Sequence, residues 1–350
     1  MSFQQAVSFL PNTTESELVP AHARRRPSQY VTATEYKELA VQDGNKSRRK
    51  FWLIGIAVGI VAIVALAVGL GVGLNKSRNS SSSAASSTAV GVAPSVAEPT
   101  STFSAARNVT YWKPAVGTTW QIVLWDVLED TSFDAQVFNI DLFTNEVSTI
   151  TKLHSLGRKV ICYFSAGSYE NFRPDSTRFL KADYSKGLKG WPGEYWVNTS
   201  SPNVRNIMLS RLDLALAKGC DGVDPDNIDG FDNDTGFKLT NVTAIDYLTF
   251  LASAAHARGL SIGLKNGGAI AKQTVDMMQW EINEQCEVYN ECSDFQPFIA
   301  AGKPVFHIEY PDSAPTVDPV TKSTICGDNT TVGFSTLIKK MKLDEWALPC

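Results

Sequence analysis

The chain has 350 residues, 43% of them hydrophobic and 19% charged, with a formal net charge of −4. This balance excludes a wholly disordered chain and a strongly basic nucleic-acid binder, and 24 Gly with 16 Pro exclude a collagen-like or low-complexity fibre. A mean hydropathy of −0.10 excludes a protein of many membrane spans, although an average can hide a single one.

Residues 1–50 lack hydrophobic periodicity and read as a disordered tail. From Phe51 to Leu74 no residue is charged, and Ile, Val, Ala, Leu and Gly dominate. A helix of that length, at a rise of ~1.5 Å per residue, covers a hydrocarbon core of ~30 Å, so residues 51–74 are predicted to be a transmembrane helix. A cleaved signal peptide fits badly, because the run is long and starts deep in the chain. Lys46, Arg48, Arg49 and Lys50 precede the run, and Arg24, Arg25 and Arg26 lie further back, against Lys76 and Arg78 just after it. By the positive-inside rule the tail is then cytosolic and the C-terminal part extracellular, which makes a single-pass type II protein of the cell membrane. All six cysteines and seven of the nine N-x-[ST] sequons follow the run, as an extracellular side requires. Residues 75–105 are rich in Ser, Ala and Thr and read as a flexible stalk.

Residues 106–350 are close in number to the ~250 of a (β/α)8 TIM barrel. Eight apolar, β-branched or aromatic runs are predicted strands: Trp120–Trp125, Val137–Leu142, Lys159–Phe164, Gly222–Pro225, Ser261–Lys265, Glu281–Glu284, Pro304–Glu309 and Gly333–Ile338. Helical patterns fall between them at Val147–Leu156, Val204–Ala217, Ala244–Ala257 and Phe295–Ala301. Alternation of strand and helix argues for a parallel sheet, and eight units argue for closure into a barrel. The first interval is too short for a helix. The long interval Ser165–Cys220 has room for an extra strand near Tyr195–Val197. An open doubly wound sheet is the alternative, but no Gly-rich phosphate loop follows any strand, and no cofactor is expected.

In such a barrel the reacting groups sit at the C-terminal ends of the strands. Those ends carry Asp126, Asp141, Tyr163 with Ser165, Asp224 and Asp226, Lys265 with Asn266, Glu284, and Glu309 with Tyr310. Unpaired buried carboxylates cost several kcal/mol each, so these should face a polar cavity. Carboxylates on separate strands suit glycosidic cleavage, where one protonates the leaving oxygen and the other attacks the anomeric carbon or activates water. Lys265 and Asn266 could hold sugar hydroxyls or keep a carboxylate ionised. Trp125, Tyr163, Trp191, Tyr195 and Tyr310 could stack on sugar rings or belong to the core. Metal chemistry finds no support. The run from Asp224 to Gly230 places its acids at the wrong spacing for a calcium loop, and the four histidines are scattered with no H-E-x-x-H. There is no G-x-S-x-G elbow either.

Cys286 and Cys292 are near enough in sequence for a loop-closing bridge. Cys326 and Cys350 are candidates to tie down the C-terminus, and Cys162 and Cys220 are either a pair or two buried thiols.

Several motifs resemble glycoside hydrolase family 114, the fungal and bacterial endo-α-1,4-polygalactosaminidases. They are Val160–Ser168, Gly219–Asn227 with Asp229-Gly230, Gly263–Asn266, Asn283–Cys286 and Gly302–Phe306. The resemblance runs from about Thr118 to Lys340. It implies a (β/α)8 barrel that cuts α-1,4-linked galactosamine polymers inside the chain, with Asp226 and Glu284 as the catalytic pair. We expect Glu284 to be the acid/base and Asp226 the nucleophile or base, with Asp126, Asp141, Tyr163, Asp224, Lys265, Asn266, Glu309 and Tyr310 around the substrate. Two positions depart from the family pattern: Asp224 stands where Glu is common, and His307 where Asn is expected. After the apolar run the chain carries 24 Lys and Arg against 31 Asp and Glu, an excess of acid that would attract a polycationic galactosamine chain. A catalytically silent polysaccharide-binding barrel, or a glycosidase for a different amino sugar, are the alternatives.

Overall fold

The computed structural model describes residues 109–350. The tail at 1–50, the apolar run at 51–74 and the stalk at 75–105 lie outside the described residues. Among those described, no helix is long and apolar enough to cross a membrane.

All eight expected runs are strands. They are β1 (Trp120–Val123), β2 (Val137–Asp141), β3 (Lys159–Ser165), β7 (Gly222–Asp226), β8 (Ser261–Lys265), β9 (Trp280–Glu284), β10 (Val305–Glu309) and β11 (Ser335–Lys339). Their pairings are all parallel and follow chain order without reversal. The doubly wound alternative is thereby removed, since it needs a point where strand order turns back.

Closure is the one departure from the expected barrel. Among the described residues no ladder joins β11 to β1; the sheet instead ends in β12 (Ala347–Pro349), antiparallel to β11. Side chains bridge the seam. Trp120 Nε1 donates to the Ser335 carbonyl at 2.8 Å, Ser335 Oγ to the Thr118 carbonyl at 2.8 Å, and Lys339 Nζ to Gln121 Oε1 at 2.9 Å. The barrel is nearly closed.

Helices α1 (Val147–Ser155), α2 (Pro202–Lys218) and α3 (Asn241–His256) match the expected patterns, whereas the run at 295–301 shortens to α6 (Gln296–Ala300) after a 3-10 turn. Local chemistry sets the ends. Ser201 caps α2 ahead of Pro202, and Gly219 closes it in the left-handed region, where a missing Cβ removes the steric penalty. Thr240 and Thr243 cap α3 reciprocally. Three short helices have no counterpart in the sequence reading: α4 (Gly268–Thr274), α5 (Cys286–Tyr289) and α7 (Pro319–Cys326). The long interval after β3 holds a small antiparallel sheet in the order β4 (Ser168–Glu170), β6 (Glu194–Val197), β5 (Tyr184–Gly187).

Register divides each strand into two faces. Phe138, Val160, Phe164, Val223, Leu264 and Val305 point outward and pack with Leu153, Ile207, Leu212, Leu248 and Phe298 of the helices. Trp120, Ile122, Ile161, Trp280, Ile282, Phe306 and Ile308 point inward and fill the barrel. Trp280 lies across its neighbours, so a Cβ on Gly222 or Gly263 would come within 2.5 or 1.9 Å of the indole. Below it the segment just ahead of β1 packs on the barrel, with Trp112 tilted on Trp280 at 5.7 Å and Tyr111 stacked on His256 at 4.1 Å. Three disulfides, Cys162–Cys220, Cys286–Cys292 and Cys326–Cys350, use all six cysteines, so the pair left open in the sequence is bridged.

Candidate active site

The cavity opens at the C-terminal ends of the strands. It is lined by Leu124, Tyr163, Asp226, Asn227, Asp229, Lys265, Asn266 and Glu284, with Leu188, Trp191 and Glu194 on one side and Met341, Lys342 and Leu343 on another. Three adjacent strands supply the charged centre, because β7, β8 and β9 end on Asp226, Lys265 and Glu284. Each is followed at once by a non-glycine residue at positive φ: Asn227 (60°), Asn266 (51°) and Gln285 (64°). Left-handed backbone is sparse for side-chain-bearing residues and concentrates at functional sites. Here it turns the chain sharply away and leaves the preceding charge at the rim.

Lys265 sits at the middle of three carboxylates. Its Nζ lies 3.5 Å from Asp226 Oδ1, 3.3 Å from Glu284 Oε2 and 4.0 Å from Asp224 Oδ2. Burial alone would drive its ammonium to lose the proton, but Asp226, Glu284 and Asp224 overturn that and push its pKa up. The cation is permanent. Burial likewise pushes Glu284 up, yet Lys265, Tyr310 and Asn266 together hold it below the usual carboxylate range. Tyr310 Oη donates to Glu284 Oε1, Asn266 Nδ2 donates to Oε2 at 3.3 Å, and the Glu284 amide donates to Asn266 Oδ1 at 3.0 Å. Tyr163 Oη donates to Asp226 Oδ2 at 2.8 Å. Asp224 lies beneath, fully buried, with Asn139 Nδ2 donating to it at 2.8 Å. Burial, opposed by Lys265 and reinforced by Asp226, raises it to about 6.

The loop after β3 rests directly on the end of β7. The amides of Ala166 and Gly167 donate to the Asp226 carbonyl at 2.8 and 2.9 Å. A Cβ on Gly167 would fall 1.5 Å from the Asn227 carbonyl oxygen, so only glycine permits the approach. Asn227 Nδ2 donates to Ser165 Oγ at 2.9 Å, which further fixes the rim.

The structure brings Asp226, Glu284, Lys265, Asn266, Tyr163, Tyr310 and Asp224 together. It does not bring the other three. Asp126 is exposed on the loop after β1. Asp141 is buried in an ion pair with Arg173 at 2.7 Å, and Arg173 also holds Glu170 at 2.6 Å, which ties β2 to the small sheet. Glu309 stands on the outer face of β10, where Oε1 contacts His307 Nε2 at 3.0 Å and accepts the Glu287 amide at 2.9 Å. His307 shares that outer face and contacts Thr336 Oγ1 at 3.0 Å. Among the aromatics, Tyr163 and Trp191 line the cavity, whereas Tyr195 packs with Tyr169 and Tyr184 on the small sheet. Sequence reasoning did not assign Asn227, Asp229, Glu194 or the segment 341–343 to the site. The first two lie in the motif around Asp226. The segment 341–343 reaches the cavity through a tertiary contact, the Leu124 amide donating to the Leu343 carbonyl at 3.0 Å.

Comparison with known proteins agrees with this architecture. The model of glycoside-hydrolase family GH114 matches residues 101–350. The crystal structure of Aspergillus fumigatus Ega3 in complex with galactosamine is 54% identical, with a TM-score of 0.67, covering 69% of this chain and 98% of that one. The glycoside hydrolase domain of PelA from Pseudomonas aeruginosa shares the fold at 13% identity and a TM-score of 0.52, covering 65% of this chain and 97% of that one. An uncharacterized protein of Deinococcus radiodurans is 30% identical over 44% of this chain, and the match spans 56% of that protein's length.

Proposed function

The chain belongs to glycoside-hydrolase family GH114 and is a glycoside hydrolase, and we propose that it cuts α-1,4-linked galactosamine polysaccharide inside the chain, using Asp226 and Glu284. The observation that carries the proposal is the shared ammonium of Lys265. Contacts of 3.5 and 3.3 Å to the two carboxylates cap the separation of those two oxygens at 6.8 Å. Carboxyl groups ~5–5.5 Å apart flank a glycosidic bond in retaining enzymes, and inverting enzymes need ~6.5–9.5 Å. A bound of that size is compatible with the shorter, retaining spacing, and a retaining reaction is the one we propose.

In the first step one carboxylate attacks the anomeric carbon while the other gives a proton to the departing oxygen; in the second, water is activated by the latter group and releases the sugar. We place Asp226 as nucleophile and Glu284 as acid/base. In the free site Lys265, Tyr310 and Asn266 hold Glu284 ionised, so its proton-donor role requires an incoming sugar to take over some of those donors. Chemical rescue tests the division. Azide should restore turnover to Asp226→Ala and yield a glycosyl azide of inverted configuration, and rescue of Glu284→Ala with that product would reverse the roles.

The substrate reading is supported by the 54% identity to a protein crystallised with galactosamine and by the acidic lining of the cavity. The anchoring of the enzyme by residues 51–74, with its hydrolase domain outside the cell membrane, is part of the same proposal and rests on the apolar run and its basic flank. Protease protection of intact cells tests it: an accessible C-terminal domain with a protected tail is expected, and the opposite pattern refutes the topology.

A further inference from the structure

Asp229 lies in the cavity wall, three residues after Asp226 on the loop that leaves β7. Packing fixes the loop. A Cβ on Gly230 would meet Leu239 at 2.9 Å, Thr235 at 3.3 Å and Trp196 at 3.4 Å, so the backbone next to Asp229 is closely packed, in part against the small sheet. The surroundings of its carboxylate are unbalanced. Burial is the main influence on it, Asp226 and Asp232 add negative charge, and the cation that reaches it, Lys265, is already shared by Asp226, Glu284 and Asp224. Lys342, the other cation on the wall, lies over the ring of Trp125 at 4.9 Å. Its own backbone amide donates to the Asp229 carboxylate, and among the described residues no ion pair or side-chain hydrogen bond engages it.

A carboxylate held in an acidic wall without a cation of its own carries a repulsive cost that a ligand cation would offset. A hydroxyl would serve poorly, because it brings no charge. An ammonium of the substrate would supply both a donor and the missing charge.

We propose that the Asp229 carboxylate binds the 2-ammonium group of a galactosamine unit beside the scissile bond, and so selects deacetylated over N-acetylated chain. The inference rests on the glycosidase reading above and adds the residue that reads the amino group. Acetylation removes the charge and adds bulk, so it should abolish the contact.

The test uses the full-length chain in detergent. A Glu284→Gln background binds without cutting, and dissociation constants are measured for α-1,4 galactosamine oligomers and for their fully N-acetylated counterparts. Adding Asp229→Asn, which keeps the shape and removes the charge, should weaken galactosamine binding about ten-fold or more, in line with a lost charge-assisted hydrogen bond. Binding of the acetylated oligomer should change less than about two-fold. Asp229→Ala repeats the measurement if the Asn variant folds poorly. Unchanged galactosamine affinity, or an equal loss on both ligands, overturns the proposal. A parent enzyme that cuts no α-1,4 galactosamine polymer overturns the reading beneath it, and the inference with it. A parent that cuts the polymer while Asp229→Asn keeps full discrimination removes the inference alone.

Discussion

Two polar clusters sit back to back at the ends of neighbouring strands. Inside the barrel, Asp224, Asp226 and Glu284 surround Lys265 and open on a cavity. Outside it, Glu309, His307 and Thr336 form a second hydrogen-bonded set, with Glu287 beside them. Both clusters are rich in acid, the inner one on β7, β8 and β9 and the outer one on the neighbouring β10 and β11. What separates them is strand parity: on β9 and β10, Glu284 and Tyr310 project inward while His307 and Glu309 project toward the helices. Charge becomes a site only where the barrel leaves room for a substrate.

The largest expected effect lies on the inner cluster. Asp226→Asn and Glu284→Gln should each lower depolymerisation by about a thousand-fold or more, since each removes a group that the proposed reaction uses directly. Circular dichroism should show an unchanged fold. Next comes Lys265→Met, which leaves three carboxylates without their cation. Breaking such a buried set costs about 3–5 kcal/mol. The stranded acids must then take up protons on folding, so the stability deficit should grow as pH rises and shrink in acid, as urea unfolding at two pH values would show. A deficit independent of pH would mean that Lys265 acts by packing alone.

The outer cluster should reverse this pattern, affecting stability and sparing activity. Burial, with Glu309 and then Asp328 adding repulsion, pushes Glu287 up to about 8. The unfolded chain releases that proton near the ordinary carboxylate value of ~4.3. Between those two values the folded state binds more protons, so stability falls as pH rises through the window and levels off above it. Glu287→Gln should therefore gain stability over the wild type at pH 8, lose that advantage toward pH 4, and leave turnover within about two-fold. The smallest effect on activity is expected from Glu309→Gln, whose carboxylate faces His307 and the Glu287 amide and not the cavity.

This contrast also marks how far the sequence could be read. The eight strands were legible because fully buried parallel strands carry continuous apolar runs. Asp226 and Glu284 were legible as two of several carboxylates that interrupt those runs at their ends, and the resemblance to the family implied them as the pair. Glu309 and Asp141 looked alike by the same criterion. Their separation depends on which face of the pleat each occupies and on Arg173 arriving from the turn after β4, and neither is encoded nearby. Asp229 was visible in the motif after Asp226, but only the fold of the loop under Trp196 places it in the wall. The seam between β11 and β1 depends on β12 and on side chains more than two hundred residues apart, so no local pattern announces it.

The central claim is the proposal that the inner carboxylates hydrolyse a galactosamine polymer while Glu309, more deeply buried on the outer face, does not. Oligomer release from purified α-1,4-linked galactosamine polymer should be measured side by side for the wild type, Glu284→Gln and Glu309→Gln. The account predicts short oligomers from the wild type and from Glu309→Gln, and none from Glu284→Gln. Release by Glu284→Gln at the wild-type rate, or no release by the wild type, would contradict it.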